Sequence, residues 1–309
     1  MKKTLWGLLL LMLMALDLLA GDGISWPEGI VFSHLRLPRM LTALLAGAAM
    51  ALSGTQMQAL FRNPLADPHI MGVSSGAGFG AALAAMAVGS TSALAGSVSL
   101  IGGAFVGAII SGALIMAASM RVKSTGTLLL VGVMLGFIFS AFSSILQYTA
   151  GEESLKLFYS WMAGSFSGAG YGSLAWIGAA VAIGIVLSLT NLKALDLILF
   201  GDDFASFSGL SLKSLRTSVM LGCAIMTGAV TAFCGPIGFV GIAAPHIMRR
   251  SLGTSAHRTI IPWGMVAGAC LTLAGDIAAH LPGTPLPVGS TLALLGIPII
   301  IVLLWRNRL

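Results

Sequence analysis

Apolar residues run through this chain in long blocks, separated by short polar stretches. A helix crossing the hydrocarbon core of a bilayer needs roughly 20 such residues. By that measure the pattern predicts ten helices, near residues 5–21, 38–60, 69–88, 93–119, 127–149, 171–190, 216–234, 237–249, 260–280 and 288–305. The eighth is the shortest, and Pro236 and Pro245 lie beside and within it, each removing a backbone donor.

The polar stretches report orientation, because Lys and Arg accumulate on the cytoplasmic side of membrane proteins. With the first residue inside, the inner set is Lys2, Lys3, Arg62, Arg121, Lys123, Lys193, Lys213, Arg216, Arg249, Arg250, Arg258, Arg306 and Arg308. Arg36, Arg39 and Lys156 fall outside. Thirteen against three predicts an even number of spans with both termini cytoplasmic. Eight spans keep the same parity if one pair of segments is re-entrant. The expected fold is all-α, a polytopic helical bundle forming a single transmembrane domain over residues 1–309.

Two connections are more than links. Residues 151–172, outside, begin with Leu155, Phe158 and Trp161 at helical spacing, as expected of a helix that lies on the membrane surface or caps a pathway. Inside, residues 191–216 form the longest loop, polar enough for water yet carrying Leu195, Leu199, Phe204 and Phe207. Those apolar side chains call for a contact, either with another protein or with the loop's own bundle.

Composition narrows the class. The chain is 57% hydrophobic and 8% charged, with a mean hydropathy of +0.98, where average proteins carry about 25% charged residues. A formal charge of +6 would suggest nucleic acid in a soluble protein; here the cations sit between apolar runs and serve orientation, so no nucleic-acid partner is expected. The 40 glycines include pairs four apart, Gly103 and Gly107, Gly132 and Gly136, Gly264 and Gly268, spaced for close helix contact. The same abundance accounts for "GVSSGAGFGAAL", where Gly76, Gly78 and Ala81 imitate a dinucleotide-binding G-x-G-x-x-A. Such a loop needs a preceding strand and an acidic residue about 20 positions later, and neither is found. The pattern is read as packing, with Gly72, Gly76, Gly78 and Gly80 letting the third helix approach its neighbours after an inner turn of Arg62, Asn63, Pro64 and Pro68.

The opening "MKKTLWGLLLLMLMALDLLAGDG" fits a signal peptide or a retained first helix, and its apolar run from Leu5 to Ala20, with more spans behind it, favours retention. Cys223, Cys234 and Cys270 lack redox or metal spacing and are read as buried apolar residues.

No Gly-Lys pair occurs, so the G-x-x-x-x-G-K-[ST] loop that cradles ATP phosphates is missing. If ATP drives this protein, another chain binds it. His34, His69, His246, His257 and His280 are scattered without metal-binding spacing. Asp17 and Asp276 are the candidates for an ion-coupling site, yet both fall toward the outer ends of their helices. No catalytic residue, metal or cofactor is expected in this chain. A large apolar bundle without its own energy source, with an inner loop suited to contact, reads as the membrane half of a two-part transporter.

The segment "RLPRMLTALLAGAAMALSGTQMQALFRNPLADPHIMGVSSGAGFGAAL", residues 36–83, resembles the permease subunits of bacterial ABC importers for ferric siderophores, haem and cobalamin, the FecCD-type iron-chelate and cobalamin permease family. The likeness continues through "STGTLLLVGVMLGFIFSA", "WMAGSF", "GPIGFVGIAAPHIMRR" and "LPVGSTLALLGIPIIIVLL", in the family's order and over nearly the whole chain. It implies ten helices per subunit, a permease homodimer in the bacterial cytoplasmic membrane, two cytoplasmic subunits that hold ATP and Mg2+, and a periplasmic or lipid-anchored substrate-binding protein.

The resemblance also implies roles for single residues. Arg36 and Arg39 match outer arginines that pair with acids on the binding protein; read alone, they also suit interfacial anchoring of the second helix. His280 stands where some relatives have a third docking arginine, so that contact is either lost or pH-dependent. "LFGDDFASFSGLSL" resembles the segment seated in a groove of the ATPase, with Gly201, Ala205 and Gly209 at matching positions and Asp202, Asp203 and Phe204 as expected contacts. Ser208 replaces the leucine that many relatives have before Gly209. Ser124 and Thr125 match the inner gate, and the same residues suit a helix N-cap. The expected function is the permease of an ATP-driven importer for an iron chelate, siderophore or haem, or for cobalamin. The alternative is a stand-alone ion-coupled carrier, which would depend on a proton or sodium gradient and on Asp276.

Overall fold

The structure, a computed structural model, describes residues 1–21, 23–24, 26–88, 93–122, 124–281 and 286–306. Lys123 and Arg308 of the charge tally lie outside the described residues. A helix stands at each of the ten predicted positions: α1 (Lys2–Leu19), α2 (Gly29–Phe61, with a π-helical stretch at Phe32–Arg36), α3 (Val73–Val88), α4 (Ala93–Arg121) and α5 (Thr125–Thr149), then α7 (Tyr171–Thr190), α10 (Leu212–Cys234), α11 (Val240–Leu252), α12 (His257–His280) and α13 (Val288–Arg306). Shorter helices sit in the connections: α6 (Glu152–Met162), α8 (Leu192–Ile198) and α9 (Asp202–Phe207). A two-residue antiparallel ribbon, β1 (Ala20–Gly21) on β2 (Gly23–Ile24), follows α1.

Six of these helices are long and apolar enough to cross a bilayer: α2, α4 from Val98, α5, α7, α10 and α12. The apolar stretches of α3 and α13 are shorter. Three charged residues in α1, and the 13-residue length of α11, set those two apart.

The core forms around α2, whose Leu37–Phe61 portion is buried along almost its whole length against α12, α10, α11 and α7. Small residues on every side of that helix make this possible, since neighbouring backbones then approach within van der Waals range. Gly47 lies against Gly268 of α12, and Gly54 against the Gly241 carbonyl of α11. The closest pair is α3 on α4, where Gly76 faces Gly107 and Gly80 faces Gly103. Gly78, by contrast, has open space around it, so only part of the G-x-G-x-x-A pattern serves contact. A Cβ at Gly107 would collide with the Gly76 carbonyl. Gly107→Val should therefore cost about 3 kcal/mol, read as loss of the monodisperse detergent-solubilised species on size exclusion, while Gly78→Ala elutes as wild type.

Contacts across the bundle sort its loops into two ends. At the basic end, Trp6 Nε1 of α1 donates to Ser251 Oγ at 3.0 Å, and the start of α12 meets α8 through His257 and Asp196 at 2.6 Å. The C-termini of α2 and α11 gather there as well, joined by Arg249 and Gln58. At the far end lie the C-termini of α1 and α12, the start of α2, and α6. The amphipathic face of α6 turns inward: Phe158 is buried, and Trp161 Nε1 donates to the Ala232 carbonyl at 3.1 Å.

Candidate functional site

At the basic end, the segment between α7 and α10 folds into two short helices held by glycine conformations. Gly201 opens α9 at φ +113°, a region that a side chain excludes. Gly209 closes it at φ +83°, with its own N–H on Ser206 O and that of Leu210 on Ala205 O, the paired bonds of a Schellman cap. Between them Ala205 is fully buried, whereas Asp203, Phe204 and Phe207 face outward. Phe207 is 91% exposed and Phe204 51%, and Phe200 stacks beside Phe204 with ring centres 5.4 Å apart. The predicted loop is thus a rigid, well-capped element that presents aromatic rings to its surroundings.

Asp202 ties this element to the bundle. Its Oδ2 accepts from Arg216 Nη2 at 3.0 Å and from the Thr125 hydroxyl at 3.3 Å, and its Oδ1 lies 3.2 Å from Arg62 Nη2. Arg216 also donates to Thr125 Oγ1 at 2.7 Å, from a side chain only 6% exposed. One carboxylate therefore joins α9, the first turn of α10, the start of α5 and the end of α2. Ser124 is exposed and caps α5, accepting from the Thr127 N–H at 3.4 Å, while Thr125 is buried in the Asp202 cluster. The two hydroxyls paired in the sequence reading thus have different partners. Arg216 was legible only as one cation in a charge tally; a lone Arg 14 residues past the Gly-Asp-Asp turn is the signal that could have marked it.

Beside this cluster, Arg62 in a left-handed conformation ends α2, and Asp67 caps the turn that leads to α3 by accepting from the His69 N–H at 2.9 Å. Burial pushes the Asp67 carboxyl above the usual carboxylate range, and the charge of His69 opposes that shift.

At the far end, Arg36 and Arg39 are 9% and 6% exposed. Arg36 Nη1 donates to the Leu18 and Leu19 carbonyls at 2.9 Å each; Arg39 Nη2 donates to those of Asp17 at 2.9 Å and Ala20 at 2.6 Å. Arg39 Nε lies 3.0 Å from Asp276 Oδ2 of α12, and Asp17 is buried in the same cluster. His280 Nδ1 is 2.9 Å from the Asp276 carbonyl, and its Nε2 is 3.3 Å from Ser167 Oγ. The three residues expected at a docking surface thus stand together at one end, with their polar atoms engaged inside the chain. The exposed side chains of that region include Trp26, Glu28, Ile30, His34 and Leu35.

Comparison with known proteins gives a consistent answer. The model of the FecCD transport family matches residues 7–306. The chain is 37% identical to the vitamin B12 import system permease protein of Klebsiella pneumoniae over 318 aligned positions, covering 99% of this chain and 95% of that one. It is 34% identical to the hemin transport system permease protein of Yersinia pestis over 281 positions, 90% of this chain and 84% of that one. Among solved structures, an inward-facing metal-chelate type ABC transporter superposes with a TM-score of 0.85 at 32% identity, over 97% of both chains. A structure of PsaBC from Streptococcus pneumoniae shares the fold alone, with a TM-score of 0.61 at 18% identity over 89% of this chain and 92% of that one. An apolar helical bundle with a capped, aromatic-tipped element at its basic end and a match along nearly its whole length belongs to the FecCD transport family.

Proposed function

We propose that this ABC importer permease forms the pathway for a metal chelate, ferric siderophore or haem, or for cobalamin, across the bacterial cytoplasmic membrane. All ten apolar helices cross the membrane, and the basic end faces the cytoplasm together with both termini. Two copies form the transporter. The exposed flank of α5 suits that assembly, since only 22% of its most apolar stretch is buried within one subunit. Two ATP-binding subunits dock beneath and supply ATP and Mg2+, and a substrate-binding protein docks at the far end. There, Arg36, Arg39 and His280 hold the shape of the surface from below while the strip from Trp26 to Leu35 meets the partner.

The observation that carries this reading is the element at 200–209. Three phenylalanines held outward by a rigid frame are costly in water and suited to a groove. Asp202 joins that frame to Thr125 at the start of α5, so a push on α9 reaches the inner gate directly. The test is crosslinking from native membranes with a photo-reactive residue in place of Phe204. Capture of an ATP-binding subunit is expected there and not from a control at Tyr171; absence of an adduct from every position between Leu199 and Gly209 would refute the coupling role.

A further inference from the structure

A cavity of about 560 Å³ opens at the basic end, beside the coupling element, between the C-termini of α2 and α11 and the start of α12. Arg62, His246, Arg249, Arg250 and His257 line it, and among the described residues no acidic side chain does. Two of these five have carboxylate partners, Arg62 with Asp202 at 3.2 Å and His257 with Asp196 at 2.6 Å. Among the described residues, no carboxylate lies within ion-pair distance of Arg249 or Arg250. Among the described residues, the hydrogen-bond partner of the Arg249 side chain is the neutral side-chain oxygen of Gln58. His246 binds the Ile242 carbonyl through Nδ1 at 3.0 Å, which leaves Nε2 for another partner.

Positive-inside orientation explains cations at this end but not the convergence of five on one cavity with carboxylate partners for only Arg62 and His257 among the described residues. Arg249 is partly buried and Arg250 exposed, and a partly desolvated guanidinium without a carboxylate partner is unfavourable unless an anion joins it. The planar donor forks of arginine match the oxygens of phosphate, and a cavity of several hundred Å³ suits a ligand larger than one carboxylate. We propose that this cavity binds a phosphate-class oxyanion at the cytoplasmic face, either a soluble phosphate or the headgroup phosphate of an anionic lipid. Cytoplasmic-side basic pockets between membrane helices are suited to such headgroups. Arg62 touches both the cavity and Asp202, so occupancy bears on the coupling element. The inference rests on the basic end facing the cytoplasm and not on the identity of the cargo.

Ser255 is exposed at the rim of the cavity, and all three native cysteines are buried, so Ser255→Cys takes an environment-sensitive dye selectively. The full-length permease in alkyl maltoside is titrated with inorganic phosphate and, separately, with mixed micelles of phosphatidylglycerol, against chloride of equal ionic strength and phosphatidylcholine. A saturable response to either probe, weakened about tenfold or more in R249Q/R250Q, is the expected result. Response to both probes assigns a soluble source, and response to phosphatidylglycerol alone assigns lipid. No saturable response, or an equal one in the variant, overturns the proposal; so does a response that appears only with the ATP-binding subunit. Arg250→Gln alone, altering an exposed side chain, keeps the test valid if the double variant fails to fold. Labelling of Ser255→Cys by an impermeant maleimide in inverted vesicles checks the orientation separately.

Discussion

Replacing Arg39 by Met should destabilise the protein by about 3–5 kcal/mol, the cost of breaking a buried ion pair from one side. Arg39 is 6% exposed and lies 3.0 Å from a fully buried Asp276. Its removal leaves that carboxylate to His280 Nδ1, 3.5 Å away, with Asp17 beside it, and takes donors from the carbonyls of Asp17 and Ala20. Arg39→Lys keeps the charge but cannot span both the carboxylate and the carbonyls, so it falls between wild type and Met. R39M/D276L recovers part of the loss because both charges leave together. The measurement is the temperature at which detergent-solubilised protein loses its monodisperse peak. Wild-type behaviour of Arg39→Met would show that the cluster does not hold α1, α2 and α12 together. The same experiment bears on docking: the ion pair with Asp276 and the two carbonyl partners make any loss of transport in Arg39 variants a loss of fold first.

Arg216→Met should uncouple the machine rather than dismantle it. The substitution removes charge-assisted hydrogen bonds to Asp202 and Thr125, together worth about 1.5–3 kcal/mol, and leaves Asp202 with Arg62 at a partly exposed pair. The bundle around α2 is untouched. Cargo uptake into proteoliposomes should fall about tenfold, the factor that some 1.4 kcal/mol of lost coupling produces, while ATP hydrolysis by the assembled complex persists. Thr125→Val, which deletes one hydroxyl and no charge, gives a smaller loss in the same direction. Uptake and hydrolysis falling in strict proportion would assign Arg216 to assembly and remove it from the path between coupling element and gate.

The sequence was informative where physics is local. Each of the ten apolar blocks became a helix, since an apolar segment removed from water satisfies its backbone hydrogen bonds within itself, and six of the helices are long and apolar enough to cross a bilayer. The short eighth block, marked by Pro236 and Pro245, became the 13-residue α11, and the amphipathic spacing of Leu155, Phe158 and Trp161 became α6. Gly201 and Gly209 were legible from likeness, and their positive φ values supply the physical reason for them. The long-range pairs were not legible. Arg39 meets a carboxylate 237 positions away, and Thr125 meets an arginine 91 positions away, separations at which single-sequence spacing carries no information. Exposure was equally hidden: two outer cations suggest a surface contact in sequence, and their burial follows from carbonyls that only the fold brings near them.

Those carbonyls bear on how the chain enters the membrane. Four in succession at the end of α1, from Asp17 to Ala20, take hydrogen bonds from Arg36 and Arg39. During synthesis α1 leaves the ribosome before either arginine exists. A carbonyl without a donor away from water costs several kcal/mol, so the end of α1 is completed only by the residues that begin α2, and the chain up to Leu19 lacks the donors that its own last turn uses.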